Sequence, residues 1–144
     1  MLQPKEILKK FWNYDFFREP QTAIIESVLQ KNDTLALMPT GGGKSICFQV
    51  PTLAQEGICI VITPLIALMK DQITQLKQRN IKAAAIFSGL SYKEIDVILD
   101  NAVFGYYKFL YVSPERLKTE LFIERFKKMP VNLKIGRASC RERV

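Results

Sequence analysis

The sequence predicts an α/β fold: a parallel β-sheet with helices on both faces. Three observations carry that expectation. Short apolar runs alternate with longer segments of helical periodicity. The runs are bounded by turn residues, as strands buried on both faces tend to be. Three of them end in a glycine cluster or a hydroxyl–proline pair: Gly41-Gly42-Gly43, Thr63-Pro64 and Ser113-Pro114. Ligands of open α/β sheets bind at the carboxyl ends of strands, so these segments form the candidate site.

Along the chain, an amphipathic stretch from Pro4 to Phe11 leads into the aromatic cluster Phe11, Trp12, Tyr14, Phe16 and Phe17. A helix follows Pro20, with Ile24, Ile25, Val28 and Leu29 on one face. Asn32-Asp33 marks a turn, and Thr34 to Met38 reads as a buried parallel strand running into the glycines. The next helix spans Lys44 to about Leu53, and Ile58 to Thr63 is a second strand. Leu65, Leu68, Met69, Ile73 and Leu76 mark the apolar stripe of a helix whose other face carries Lys70, Asp71, Gln75 and Lys77. Ala83–Phe87 and Lys108–Val112 read as strands, with a helix over Ser91–Val103 between them. Pro114 stands in the first turn of a further helix, where its missing N–H is tolerated. No internal repeat or low-complexity tract interrupts this order.

The 144 residues make room for one compact domain, and 48% hydrophobic with 24% charged residues is ordinary globular composition. No stretch approaches the ~20 apolar residues that span a bilayer. The start, Met-Leu-Gln-Pro-Lys-Glu, has no signal core, so no membrane partner and a cytoplasmic setting are expected. The net charge is +7; Arg137, Arg141 and Arg143 against Glu142 contribute +2 of it, leaving +5 elsewhere. That balance suits nucleic acid or nucleotide, and suits a plain solvated basic surface equally well. Three cysteines without a histidine exclude a zinc site or a Cys/His nucleophile here; Cys47 and Cys59 read as small core residues. Nothing in the sequence indicates an oligomeric state.

Gly41-Gly42-Gly43 between a strand and a helix lets the backbone curl so that several N–H groups point at one anion. The helix after it adds the positive end of its dipole. Lys44 can reach the terminal phosphates of a nucleotide, and the Ser45 hydroxyl can ligate Mg²⁺. The general pattern G-x-x-x-x-G-K-[ST] would place its first glycine at Met38. The form found, Pro39-Thr40-Gly41-Gly42-Gly43-Lys44-Ser45, instead resembles the variant of superfamily 2 helicases.

Three further segments sharpen the resemblance to RecQ-type DNA helicases. Phe17-Arg18-Glu19-Pro20-Gln21 resembles their adenine-reading motif, although Trp12 stands where the family usually has Gly, and Glu19-Pro20 departs from the common Pro-Gly order. The segments from Ile62 to Gln72 and from Tyr111 to Leu117 resemble two later motifs, and all four occur in the family's order over residues 7–133. The resemblance implies a RecA-like P-loop NTPase domain using ATP and Mg²⁺, 3′ to 5′ unwinding, and roles in DNA repair and recombination. It implies that Thr40 to Ser45 cradle the phosphates and that Gln21, Arg18 and Tyr14 select adenine. A glutamine amide both donates and accepts, which suits an adenine edge; Tyr14 by its setting alone reads as a core aromatic among Phe11, Phe16 and Phe17, and only the resemblance makes it a base-stacking residue. Thr63, Pro64 and Leu65, and Ser113 with Arg116, are implied to grip the backbone of single-stranded or partly duplex DNA, through hydroxyls and helix N-termini. Lys70 is either a phosphate contact or a solvated lysine, and Arg116 either meets DNA or anchors Glu115.

The family pattern expects Val131-Asn132-Leu133 to begin a strand ending in Asp-Glu-Ala-His, acids that help hold Mg²⁺ and position water. The chain instead continues Lys134-Ile135-Gly136-Arg137. Ile135–Val144 has no helical or strand period and resembles a translated sequencing adapter; a genuine basic tail is the other reading. The expected organisation is therefore an adenine-reading helical segment over 1–32, a partial RecA-like domain over 33–133 truncated before the acidic-motif strand, and a non-native tail over 134–144. Such a piece, without the acids or a second motor domain, is expected neither to hydrolyse ATP nor to unwind a duplex. An RNA helicase, another P-loop NTPase and a non-catalytic nucleotide- or DNA-binding module are the alternatives.

Overall fold

The computed structural model describes residues 3–34 and 44–136. They fall into two compact units, Met1–Glu56 and Gly57–Val144. The helix that follows the glycines belongs to the first of these units, with the N-terminal helices. The strand read over Thr34–Met38 lies, apart from Thr34, outside the described residues.

The first unit is helical, with α1 (Pro4–Trp12), α2 (Gln21–Leu29) and α3 (Ile46–Leu53). Pro4 opens α1, and the Glu6 carboxylate accepts a hydrogen bond from the Gln3 N–H at 3.2 Å. Lys9 and Lys10 occupy its last turn, where cations complement the helix dipole, and Asn13 ends it in the left-handed region with φ 61°. Ile7 and Leu8 of α1, Ile25 of α2, and Ile46 and Val50 of α3 form one buried cluster, with Phe11, Trp12 and Phe17 against its margin. α3 is buried from Ile46 through Thr52, which is why its sequence is apolar all round and not striped.

The second unit contains β1 (Ile58–Ile62), α4 (Ile66–Gln78), β2 (Ala83–Ile86), α5 (Tyr92–Val103), β3 (Phe109–Val112), α6 (Pro114–Leu117), α7 (Glu120–Phe126) and β4 (Val131–Gly136). The four strands run parallel in the order β2-β3-β1-β4. Ile58 and Ile60 of β1, Ile86 of β2, and Leu110 and Val112 of β3 face α5 and α7, packing on Leu99, Ala102 and Phe122. The alternate residues Phe109 and Tyr111 face the other way, and the Tyr111 hydroxyl donates to Gln72 Oε1 of α4 at 2.5 Å. Helices therefore cover both faces of a parallel sheet, as the alternation of runs predicts.

Element ends differ from the sequence reading by a residue or two. Ser91 is not the first residue of α5 but its cap: its hydroxyl accepts from the Glu94 N–H at 3.1 Å while the Glu94 carboxylate accepts from the Ser91 N–H at 3.2 Å. Leu65, placed on the apolar stripe by its spacing, is 46% exposed, because it precedes the first turn of α4 and the buried face is Met69, Gln72 and Leu76. The seven-residue α7, capped by Thr119, is too short to leave a periodic signal. β4 runs three residues into the stretch 134–144 read as a non-native tail: Lys134, Ile135 and Gly136 pair with Ile60, Val61 and Ile62. Ladder bonds come from the backbone, so a strand can continue through residues whose side chains give no family signal. Gly57, which leads into β1, has φ +104°, and a Cβ there would collide with the Pro130 carbonyl oxygen. Among the described residues no helix is long and apolar enough to cross a membrane.

Candidate nucleotide and nucleic-acid sites

Lys44 and Ser45 form the turn that opens α3, and their carbonyls accept from the N–H groups of Cys47, Phe48 and Gln49. Lys44 is exposed and Ser45 half-buried. An ammonium and a hydroxyl at the start of an eight-residue helix are the donor set that a polyphosphate with its divalent cation needs. Thr40, Gly41, Gly42 and Gly43 lie outside the described residues. Burial pushes the neighbouring Cys47 thiol up, which keeps it neutral and makes it packing, not a nucleophile.

Gln21 is the first residue of α2 and is buried. Its side-chain oxygen accepts from the Arg18 N–H at 2.8 Å, and its own N–H donates to the Arg18 carbonyl at 2.7 Å. The loop before α2 is thus closed on Gln21. Arg18 is exposed, and Tyr14 is 56% exposed, so Tyr14 is not the core aromatic its neighbours suggest.

In the second unit Thr63 and Ser113 sit side by side. Ile62 and Val112 are partners in the parallel ladder, and the next residue of each strand is the hydroxyl. The Thr63 N–H donates to the Val112 carbonyl at 3.1 Å and the Ser113 N–H to the Ile86 carbonyl at 3.2 Å. Both residues are buried. Thr63 Oγ1 accepts from the Leu65 N–H at 3.3 Å, whereas Ser113 Oγ has no hydrogen-bond partner. Pro64 and Leu65 are exposed above this edge and lead into α4; Pro114 begins α6 as its position predicts. Arg116 is half-exposed, and among the described residues no ion pair ties it to Glu115. Glu115 is nonetheless held below the usual carboxylate range, first by a backbone N–H, then by the nearby Ser113 hydroxyl, with Arg116 a smaller influence. That hydroxyl lies close enough to favour the charged carboxylate without making a hydrogen bond of normal geometry.

Lys70 lies with its ammonium 5.3 Å from the centre of the Phe87 ring, so it is not merely solvated. Gln72 is the positioning residue that spacing does not reveal. It occupies the apolar stripe of α4 between Met69 and Leu76 and pins that helix to β3 through Tyr111. A glutamine three residues from one core position and four from the next was the available signal. Where acids were expected, β4 carries Lys134, Ile135 and Gly136, and among the described residues no three His, Cys, Asp or Glu side chains gather as a metal-holding group.

Comparison with known proteins identifies the family. The model of the DEAD/DEAH box helicase family matches residues 18–135, most of the chain. An ATP-dependent DNA helicase RecQ of Synechocystis is 46% identical over 116 residues, covering 81% of this chain and 24% of that protein. An ATP-dependent DNA helicase RecQ of Bacillus subtilis is 43% identical over 138 residues, covering 94% of this chain and 23% of that protein. The chain thus spans about a quarter of the length of these relatives. Among solved structures, a hypothetical ATP-dependent RNA helicase from Sulfolobus tokodaii shares the fold at a TM-score of 0.67 and 17% identity, covering 99% of this chain and 52% of that one. These matches establish that the chain belongs to the DEAD/DEAH box helicase family, among its RecQ-type members.

Proposed function

We propose that this chain is the nucleotide- and DNA-gripping part of the first motor domain of an ATP-dependent DNA helicase of RecQ type, moving 3′ to 5′ in a cytoplasmic setting and serving DNA repair and recombination. The single observation that carries the DNA reading is the pair of strand-to-helix corners at Thr63 and Ser113. They present two buried hydroxyls side by side, one of them without a partner, beside the exposed start of α4. Neutral hydroxyls and helix N–H groups grip a phosphate backbone without reading sequence, as a motor that passes any base requires.

In this reading Lys44 places its ammonium against the terminal phosphates, the backbone of Thr40 to Gly43 cradles them, and Ser45 holds Mg²⁺. Bound Mg²⁺ supplies neutralisation of charge on the β- and γ-oxygens. Gln21, kept in place by the Arg18 backbone, reads the adenine edge, with Tyr14 stacking on the base and Arg18 beside it. Thr63, Pro64, Leu65, Ser113 and Arg116 hold the single strand of a partly duplex substrate. Residues 134–144 serve no part of this function.

The test is DNA-stimulated ATP hydrolysis and unwinding of a 3′-tailed duplex by the full-length protein containing this domain, with Lys44→Ala abolishing both. Unwinding that prefers an RNA duplex would make it an RNA helicase. No ATP turnover in the full-length protein would leave a non-catalytic binding module.

A further inference from the structure

The open edge of the sheet carries a feature that neither nucleotide nor the Thr63 edge uses. β2 is the terminal strand among the described residues. The Lys82 and Ile86 carbonyls accept from β3-side N–H groups of Lys108 and Ser113, at 2.8 and 3.2 Å. The two-residue alternation of a strand then turns the N–H and C=O groups of Ala83 and Ala85 outward, to the open edge. A groove of about 960 Å³ runs along that edge, between α4 on one side and Tyr106 and Tyr107 on the other. The strand is Ala83-Ala84-Ala85-Ile86, so small side chains leave its backbone approachable.

The walls are chemically one-sided. Lys70, Lys77 and Lys82 line the groove, and none of its lining side chains is acidic. Two of these ammoniums are held against aromatic faces, Lys70 at 5.3 Å from the Phe87 centroid and Lys82 at 4.2 Å from that of Tyr106. Lysines beside an open strand repel a second copy of the same edge, because docking two copies would bring six of them together. An extended segment bearing carboxylates meets no such repulsion. Its backbone finds outward N–H and C=O groups at strand spacing, and its acids find the ammoniums.

We propose that the β2 edge is a docking site for an acidic, extended segment of a partner protein, which adds to the sheet as a further strand. The backbone ladder supplies the geometry and the three lysines the selectivity.

The test measures binding of a labelled eight-residue peptide alternating Glu and Val to the 144-residue chain, by fluorescence anisotropy. The same peptide with Lys for Glu should bind at least tenfold more weakly. N-methylation of alternate amides should weaken binding at least tenfold in one of the two possible phases and leave it unchanged in the other, since only one edge of the added strand faces β2. Lys77→Glu with Lys82→Glu should invert the preference between the Glu and Lys peptides, and amide exchange at Ala83 and Ala85 should slow only with the Glu peptide. Equal loss in both methylated phases, or none in either, would overturn strand addition. A (dT)12 oligonucleotide that displaces the peptide and protects the same lysines would make the groove a nucleic-acid surface instead. No saturable binding at millimolar peptide would leave the lysines as guards of a bare edge and sink the proposal.

Discussion

Glu115 stands exposed in the first turn of α6, yet its carboxyl is held below the usual carboxylate range by a backbone N–H and then by the Ser113 hydroxyl. A depressed folded-state pKa contributes stability above the ordinary carboxylate value, and that contribution is lost as pH falls through the folded value. Ser113→Ala should therefore move the Glu115 midpoint upward, read by NMR titration of its carboxyl carbon; an unmoved midpoint would assign the depression to the backbone alone. Tyr111 is the opposite kind of residue, buried completely with its hydroxyl on Gln72. Tyr111→Phe keeps the ring and leaves the Gln72 oxygen one donor short, which should cost about 1–3 kcal/mol in denaturant unfolding. Adding Gln72→Leu should recover part of that loss, because the acceptor that lost the Tyr111 hydroxyl is gone. Recovery would locate the cost in that polar atom and not in packing.

At the scale of elements, two junctions hold the second unit together. Arg125 of α7 reaches α5 with one arm at 2.6 Å from Asp96 Oδ1 and the other on Asp100, and these carboxylates hold its guanidinium charged. The carboxylates are partly exposed, so solvent screens the pair and Arg125→Ala should cost only about 1 kcal/mol. Arg125→Lys should retain little of it, since one ammonium cannot reproduce the fork. Gly57→Ala should cost more, about 2–3 kcal/mol in thermal or denaturant melts, because φ +104° is closed to alanine and the Pro130 carbonyl fills the space. The contrast explains which elements were legible in the sequence. β1, β3 and α4 announce themselves by apolar runs and a 3.6-residue stripe, whereas the Ser91/Glu94 cap that starts α5 became visible only in the structure. α7 and the Arg125 bridge do not, because they depend on residues about 25–29 apart meeting in space. The continuation of β4 through Lys134 escaped for a related reason: pairing with β1 is long-range, and no local pattern encodes it.

For the whole molecule, the sequence reaches further into the candidate site than into its energetics. The residue types at Lys44, Ser45, Gln21, Thr63 and Ser113 were readable from motif order. That Gln21 is bonded back to Arg18, and that Ser113 alone of the two hydroxyls lacks a partner, needed coordinates. This difference makes the proposed DNA grip measurable. Binding of (dT)20 to the chain should fall with salt at a slope of about −0.7 in log K per log [salt] for each phosphate met by a cation. Thr63 and Ser113 carry no charge, so Thr63→Ala and Ser113→Ala should each weaken binding several-fold without changing the slope. Arg116→Gln should weaken it and make the slope shallower by about 0.7, one phosphate's worth. If Arg116→Gln leaves the slope unchanged while the alanine variants lose affinity, the grip rests on hydroxyls and helix N-termini alone. If instead neither hydroxyl variant has an effect, the Thr63 and Ser113 corners are structural, and the DNA path must lie elsewhere on the protein. ATP turnover supplies the matching check, because β4 presents Lys134 and no carboxylate along its length: the 144-residue chain should bind nucleotide through Lys44 and still show no hydrolysis above that of Lys44→Ala.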